Sequence, residues 1–200
     1  MFPPVETIGL VPIVYEDNHL AIVNKPENMT TIGNTGGRTN DLQSVLGFLL
    51  KPSPLDPAYH PRPVHRLDRR TSGLVLIAKT QNSMRKLSKS FATRTVTKTY
   101  SALVFERDSE LSAMLGGTSN HEIGSSSEAK WLVVDYPIEK RDAVSEVRRV
   151  TAPISSSPSS LWKNEKFVSG ENIDTENSNE TFSLVEVRPK TGRTHQIRRH

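Results

Sequence analysis

A single carboxylate stands among bases in the stretch HRLDRR, which covers residues 65–70. Asp68 is the only acid between residues 62 and 98, a range that otherwise carries many arginines and lysines. Surrounding cations stabilise an ionised carboxylate, so we expect Asp68 to stay charged at neutral pH. The bases themselves predict a polyanionic partner. The alternative is structural, because an aspartate before Thr71-Ser72-Gly73 can brace a turn through its side chain.

A tyrosine could act together with such a carboxylate. Tyr100 lies in the stretch KTYSALV, directly after the basic segment that ends at Lys98. Its ring could stack on a planar base. A tyrosine on a strand more often packs into a core, so both interpretations are open at this stage.

The stretch PKTGRTHQIRRH supplies a second cluster of polar and basic side chains. Arg193 and Arg198 lie in it together with His195 and Gln196. If Thr194 caps a helix, Arg198 lies one turn further along on the same face. An arginine-rich segment is more often a solvated surface, and the sequence leaves that interpretation open as well.

Hydrophobic patterning predicts the elements that must position these residues. The continuous apolar run at 74–78 is typical of a strand buried on both faces. Helices are predicted at 41–50, with Asp41 as the N-cap, and from 80 to about 92. No strand is recognisable in 139–180. Further strands are predicted within 11–23 and at 97–105, 131–138 and 181–187.

The composition excludes several kinds of site. The chain has 200 residues, no cysteine and a formal net charge of +4. Disulfides, zinc–cysteine sites and cysteine nucleophiles are therefore excluded, and His195 with His200 is too small a set for a metal site. Neither a signal peptide nor a membrane-spanning run is visible. We therefore expect a location in the cytoplasm, an organelle or the nucleus, and no membrane partner.

Four blocks, taken in order, closely resemble the RluA-type pseudouridine synthases. The blocks read VYEDNHLAIVNKP, VHRLDRRTSGLVLIAKT, TKTYSALV and RPKTGRTHQIRRH. The family usually continues the Lys-Pro pair with small residues and a glycine, whereas this chain has Glu27-Asn28-Met29. The resemblance implies an α+β catalytic domain, with a mixed, mainly antiparallel sheet flanked by helices. It also implies a basic cleft in which Tyr100 and Arg198 converge on Asp68.

The resemblance implies a role for each matching residue. Asp68 matches the catalytic aspartate, and Tyr100 matches the tyrosine that packs against the target base. Arg198, rather than Arg193, matches the basic residue that pairs with the aspartate. Arg66 matches an arginine that contacts RNA and helps to hold the target nucleotide out of the stack. The other polar residues of these motifs are expected to bind the substrate: His65, Arg69, Lys98, Arg193, His195 and Gln196.

The implied reaction converts uridine to pseudouridine in ribosomal or transfer RNA. It breaks the N1–C1′ bond, turns the uracil and forms a C5–C1′ bond, so we expect neither cofactor nor metal. A carboxylate suits a covalent adduct or the stabilisation of an electron-poor sugar. We further expect a monomer with one catalytic domain over 1–200 that continues beyond His200. A low-complexity insertion is predicted at about 152–180.

The main alternative is a catalytically inactive RNA-binding or RNA-chaperone protein on the same fold. The presence of Asp68, Tyr100 and Arg198 argues against this alternative, whereas the weak pattern of 106–180 argues for it. A kinase catalytic loop is disfavoured because the downstream asparagine and the Asp-Phe-Gly motif are missing. The glycine-rich stretch 33–39 lacks the lysine and the spacing of a P-loop.

Overall fold

The computed structural model describes residues 11–33, 41–106, 131–135, 137–150, 181–193 and 195–199. The chain divides into two compact units, residues 1–96 and 97–200. Each unit contains one four-stranded sheet among its described residues. Strands of both sheets pair in the antiparallel sense, and helices accompany them. The predicted α+β class is confirmed.

The sheet of the first unit has the order β1-β2-β4-β3. Its strands are β1 (Ile13–Glu16), β2 (Leu20–Lys25), β3 (Arg62–Pro63) and β4 (Gly73–Ala78). Asp17 closes the β1–β2 turn, because its Oδ1 accepts hydrogen bonds from the backbone N–H groups of His19 and Leu20 at 2.7 Å each. Asx turns of this kind stabilise a chain reversal locally. The two strands predicted within 11–23 are therefore confirmed.

A fully buried apolar cluster forms the core of the first unit. Val75 and Ile77 of β4 are completely buried, whereas Leu74 is 58% exposed and Leu76 is half-buried. The predicted strand is therefore present, but it is buried on one face only, because its alternate side chains point away from the core. Helix α1 (Leu42–Leu49) contributes Val45 and Leu46, which are also completely buried. Each such side chain contributes about 1.5–3 kcal/mol through removal from water. This core supports β4, the strand that follows Asp68 in the chain.

Two side-chain caps set the starts of the helices in the first unit. Asp41 accepts a hydrogen bond from the Ser44 N–H at 2.9 Å and begins α1, as predicted. Thr80 accepts one from the Ser83 N–H at 3.1 Å and begins α2 (Gln81–Ala92). Such caps satisfy backbone donors that the first turn leaves without a partner. Both helices therefore lie where the sequence predicted them.

The sheet of the second unit has the order β5-β8-β7-β6. Its strands are β5 (Tyr100–Glu106), β6 (Leu132–Asp135), β7 (Val144–Arg149) and β8 (Thr181–Pro189), and a short helix α3 (Gln196–Arg199) follows. The strands predicted at 97–105, 131–138 and 181–187 are confirmed with shifted ends. The predicted helix cap, Thr194, lies outside the described residues, as does the insertion predicted at 152–180.

Strand β7 corrects one prediction. The sequence showed no strand in 139–180, yet Val144–Arg149 pairs with both β6 and β8. The segment VSEVRR hides its strand character because three of its six residues are charged and a fourth is serine. Two of those charges are paired across the sheet, since Arg148 lies 2.6 Å from Glu186 and Lys190 lies 2.8 Å from Glu146. Cross-strand charge pairs of this kind replace apolar contacts on the outer face.

None of the described helices is long and apolar enough to cross a membrane.

Candidate active site

A buried threonine from a distant loop holds the residue before Asp68. The Thr31 hydroxyl donates to the Leu67 carbonyl at 2.9 Å and accepts from the Leu67 N–H at 3.0 Å. Thr31 is 2% exposed and Leu67 is 7% exposed. Buried hydrogen bonds lose free energy when one partner is removed, because the other group is left without water. The position of the Asp68 backbone is therefore fixed through Thr31.

The same loop also holds the residue after Asp68. The Arg69 Nε donates to the Asn28 carbonyl at 3.2 Å. Asn28 has a φ of 61°, in the left-handed region where glycine is favoured and asparagine is the best tolerated substitute. Asn28 therefore occupies a backbone conformation that few other residues with a Cβ adopt. Residues on both sides of Asp68 are tied to the loop that follows Lys25-Pro26.

Lys25 is the last residue of β2, directly before this loop, and it is completely buried. Its ammonium donates to the carbonyls of Pro26 at 2.9 Å and Met29 at 2.8 Å. Burial lowers the pKa of Lys25, and the negative charge of Asp68 acts in the opposite direction and favours the ammonium. Lys25 therefore holds the backbone of residues 26–29 by hydrogen bonds, and its positive charge interacts favourably with the Asp68 carboxylate.

His65 completes the ladder where β3 ends. Its Nε2 accepts a hydrogen bond from the Leu76 N–H at 3.1 Å, which places the ring proton on Nδ1. The ring stacks on Phe91 of α2, with 4.7 Å between centroids and 20° between planes. The neighbouring Val64 N–H donates to the Leu76 carbonyl at 2.8 Å. His65, which the motif assigned to the substrate, therefore also joins the Asp68 segment to β4 and α2.

Asp68 itself is half-buried at the start of a turn. Its carbonyl accepts from the Thr71 N–H at 3.0 Å. Gly73 then begins β4 with a φ of 128°, a conformation that residues with a Cβ rarely adopt. Arg66 and Arg69 are exposed on either side of Asp68. The turn therefore holds a partly accessible carboxylate between two solvent-facing arginines.

Tyr100 begins β5 in the second unit. It is half-buried and lies opposite Val187 of β8 in the antiparallel ladder. Val187 is 4% exposed, so Tyr100 shares a sheet face with core residues. Lys98, two residues earlier, is also half-buried. The ring is therefore fixed at the end of a strand, with part of its surface accessible.

Gln196 ties the turn before α3 to the sheet. Its Oε1 accepts from the Thr191 hydroxyl at 2.6 Å and from the Arg193 N–H at 3.0 Å. Its Nε2 donates to the Val144 carbonyl at 2.9 Å and to the Ser145 hydroxyl at 3.0 Å. With Gln196 only 4% exposed, both ends of the amide are used inside the protein.

The basic residues of this turn differ in exposure. Arg193 is half-buried, and its Nε donates to the Asp142 carbonyl at 2.9 Å. His195 has a φ of 55°, and its carbonyl accepts from the Arg198 N–H at 3.0 Å. Arg198 is exposed, and its guanidinium lies 3.4 Å from His195 Nδ1. Arg198 is therefore more accessible to a ligand than Arg193.

The structure brings the predicted site residues together in two groups. His65, Arg66, Asp68 and Arg69 share one loop of the first unit. The second unit holds the others, on β5 and around the 191–199 turn. The convergence of Tyr100 and Arg198 on Asp68 stays a prediction. Sequence analysis missed Thr31, which shows no motif of its own and lies six residues after Lys25.

Comparisons with known proteins identify the family of this chain. Residues 19–200 match the family described as RNA pseudouridylate synthase. The chain is 32% identical over 188 residues to ribosomal large subunit pseudouridine synthase C of Vibrio cholerae, covering 94% of this chain and 48% of that protein. It is 32% identical over 192 residues to ribosomal large subunit pseudouridine synthase D of Zymomonas mobilis, covering 94% and 50%. The chain thus spans about half the length of these curated relatives.

A solved structure shares the fold. The human RNA pseudouridylate synthase domain containing 4 matches with a TM-score of 0.56 at 19% identity, covering 93% of this chain and 61% of that one. Fold and motifs together define a pseudouridine synthase type of domain. The chain belongs to the RNA pseudouridylate synthase family, and its membership of the RluA-type group is confirmed.

Proposed function

We propose that this protein isomerises uridine to pseudouridine in structured RNA, with Asp68 as the catalytic carboxylate. One observation carries the proposal within the family. The residues on both sides of Asp68 are hydrogen-bonded to the 26–31 loop, while the adjacent Arg66 and Arg69 face solvent. A positioned carboxylate with exposed cations beside it suits a reaction on a nucleotide within a phosphate backbone.

In the proposed reaction, Asp68 acts on the ribose while the N1–C1′ bond breaks. It either forms an adduct with the sugar or stabilises the electron-poor sugar. The uracil turns and C5 bonds to C1′, which releases Asp68 where an adduct has formed; the proton on C5 then leaves and N1 takes up a proton from solvent. Tyr100 packs against the base and is the candidate for taking this proton. Arg198 pairs with the carboxylate, and the cycle uses no cofactor.

We propose ribosomal RNA as the substrate class, because the relatives named above are called ribosomal large subunit pseudouridine synthases. Transfer RNA is the second candidate. Arg66 and Arg69 are proposed to contact RNA. His65 and Gln196 are proposed to act mainly as positioning residues, because their side chains are bonded inside the protein. The proposed enzyme is a monomer with one catalytic domain.

Tritium release from RNA labelled at uridine C5 tests this function. Unmodified ribosomal and transfer RNA transcripts are each incubated with the protein and with Asp68→Asn, a variant of nearly equal size. We expect release by the unchanged protein only, and with ribosomal RNA only, while both proteins bind RNA equally. RNA binding without release by either protein would instead support the inactive RNA-binding alternative.

A further inference from the structure

A cationic surface of the first unit lies, in the sequence, between the second and third motif blocks. It includes none of the proposed catalytic residues. Helix α2 places Met84, Leu87 and Phe91 on one side, where they are half-buried. At about 100° per residue, its cations project on the opposite side. We call this surface the α2 face; it comprises the exposed helix residues Arg85, Lys86 and Lys89 together with the exposed Arg94, which follows the C-terminal end of the helix.

The charges of the α2 face are not compensated within the described part of the chain. The sequence has no acid between Arg69 and Lys98. The described ion pairs involve Lys79, Arg148, Lys190 and Arg199, and none involves the α2 face. Arg85 and Lys89 are four residues apart, a spacing at which like charges destabilise a helix. The helix therefore tolerates a repulsion that an acid at either position would remove.

Arg94 adds a second, independent observation. It has a φ of 58° directly after α2, where the chain leaves the helix. The Arg94 N–H donates to Phe91, and the Thr95 N–H donates to Ser90, a pattern that closes many helices. Glycine is the usual residue at such a position, because a Cβ is strained there. An arginine in this position costs stability. None of the described hydrogen bonds or ion pairs involves the Arg94 guanidinium, so no described contact offsets that cost.

We propose that the α2 face binds the phosphate backbone of the substrate RNA, away from the reacting nucleotide. The inference rests on the proposed function, which supplies the ligand. Arg85 and Lys89 lie about 6 Å apart along the helix axis, at 1.5 Å per residue, and Arg94 follows the end of the helix at Ala92. The helical pair alone covers about two phosphate steps of one strand, which follow one another every ~3.4 Å along a duplex. Exposed cations without acidic partners fit this ligand, because phosphate contacts supply affinity without base specificity.

RNA affinity and thermal stability, measured on the same variants of the full chain, test the inference. The probe is an unmodified large-subunit ribosomal RNA transcript. Arg94→Gly removes one cation and relieves the backbone strain, so stability should rise while RNA affinity falls. Each lost phosphate contact weakens binding about fivefold at 0.15 M salt and lowers the salt slope by roughly 0.7–0.9. Arg85, Lys86 and Lys89 changed together to glutamine should weaken binding by on the order of 100-fold.

Lys140 provides the matched control. It is also an exposed cation with a left-handed φ, 60°, but it lies in the Ile138–Arg141 turn of the second unit. Lys140→Gly removes the same charge and relieves the same strain, and it should leave RNA affinity unchanged. Equal loss of affinity in Lys140→Gly and Arg94→Gly would overturn the proposal, because it would reveal only an effect of net charge. Unchanged binding by Arg94→Gly and the triple variant would overturn it as well.

The test of the α2 face can fail independently of the test of the proposed function. If the unchanged protein binds the transcript but releases no tritium, the assignment of catalysis fails while the binding comparison still decides on the α2 face. If tritium release persists and the variants bind normally, the function stands and the surface is wrong. Variants that bind RNA normally but lose binding to phosphatidylserine vesicles would overturn the RNA assignment in favour of an anionic membrane.

Discussion

The two units hold their motif residues by different routes. In the first unit, the Asp68 segment is bonded to a loop far away in sequence, through the Thr31 hydroxyl and the Asn28 carbonyl. In the second unit, the 191–199 turn is held by one of its own side chains, since Gln196 bonds to Thr191 and Arg193 and also reaches β7. The first loop is held by side chains and backbone of a distant loop, whereas the second is organised around one of its own side chains, which also bonds to β7.

This difference separates the polar residues of a motif into those that hold the protein in place and those that are candidates for contact with RNA. His65 and Gln196 are polar residues within the motifs, yet each is bonded to backbone inside its own unit. Arg66 and Arg198 are equally polar but exposed. A buried polar group must find partners in the protein, whereas an exposed cation keeps its capacity to bind phosphate. Burial therefore separates positioning residues from candidate RNA contacts.

Replacing Gln196 should produce the largest effect, because its loss leaves the most buried partners unsatisfied. Gln196→Met keeps the size of the side chain and removes all of its hydrogen bonds. We expect about 3 kcal/mol of lost stability, the upper range for an unsatisfied buried group. Hydrogen exchange should increase in residues 144–145 and 191–199 while the first unit is unchanged. The exposed Gln43 serves as control, since Gln43→Met should change stability by less than about 0.5 kcal/mol.

Thr31→Val should give the next largest effect, confined to the other unit. The substitution keeps the shape and removes both hydrogen bonds to Leu67, at a cost of about 1–3 kcal/mol. We expect the kcat of tritium release to fall while KM changes little, because Asp68 loses its position while the exposed arginines remain. Thr31→Ser keeps the hydroxyl and should restore turnover.

Thr30→Val is the matched control for Thr31, since Thr30 is adjacent and its described bond is made by its backbone. Turnover should be unchanged in this variant. If Thr30→Val and Thr31→Val reduce kcat equally, the Asp68 loop is not held through the Thr31 hydroxyl, and the contrast between the two units fails.

Two substitutions of Asn28 should change the stability of the protein by smaller amounts and in opposite directions. Asn28→Ala places a Cβ residue without local side-chain bonding in the left-handed region, and should cost about 1 kcal/mol. Asn28→Gly relieves the strain and should be neutral or slightly stabilising. Chemical denaturation of both variants measures the difference. Equal stability of the two would mean that the φ of 61° imposes no constraint on the 26–31 loop.

Acid should produce the smallest and most local effect, at the β1–β2 turn. The pKa of Asp17 is lowered, chiefly because its carboxylate accepts a hydrogen bond from the Leu20 N–H. A lowered folded-state pKa stabilises the protein above the ordinary value near 3.8, and this stabilisation is lost as pH falls through the folded pKa. Asp17→Asn should flatten that part of the stability–pH curve. A curve that keeps its full slope below pH 4 would assign the acid sensitivity to other carboxylates.

Local elements were predictable because their signals lie within a few residues. The Asp41 cap and the strand at β4 each depend on a few neighbouring residues, and both were confirmed. Burial of both faces of β4 was a wrong prediction, because Leu74 faces solvent. Strand β7 was missed because its charges are satisfied by Glu186 and Lys190, which belong to the β8 region of the chain. A periodicity rule cannot count partners that the chain supplies about forty residues later.

By itself, the sequence of this protein determined its α+β class, its basic field around Asp68 and its family. The basic field depends on residue type and spacing, which are local, whereas the α+β class and the family followed from the resemblance of the four motif blocks. Only the tertiary structure decided that Thr31 holds Leu67, that His65 extends the β3 ladder and that Gln196 ties its turn to β7. Those hydrogen bonds join residues 36, 11 and 52 positions apart. No local pattern specifies such pairs, because burial and direction are set by the packing of the whole unit.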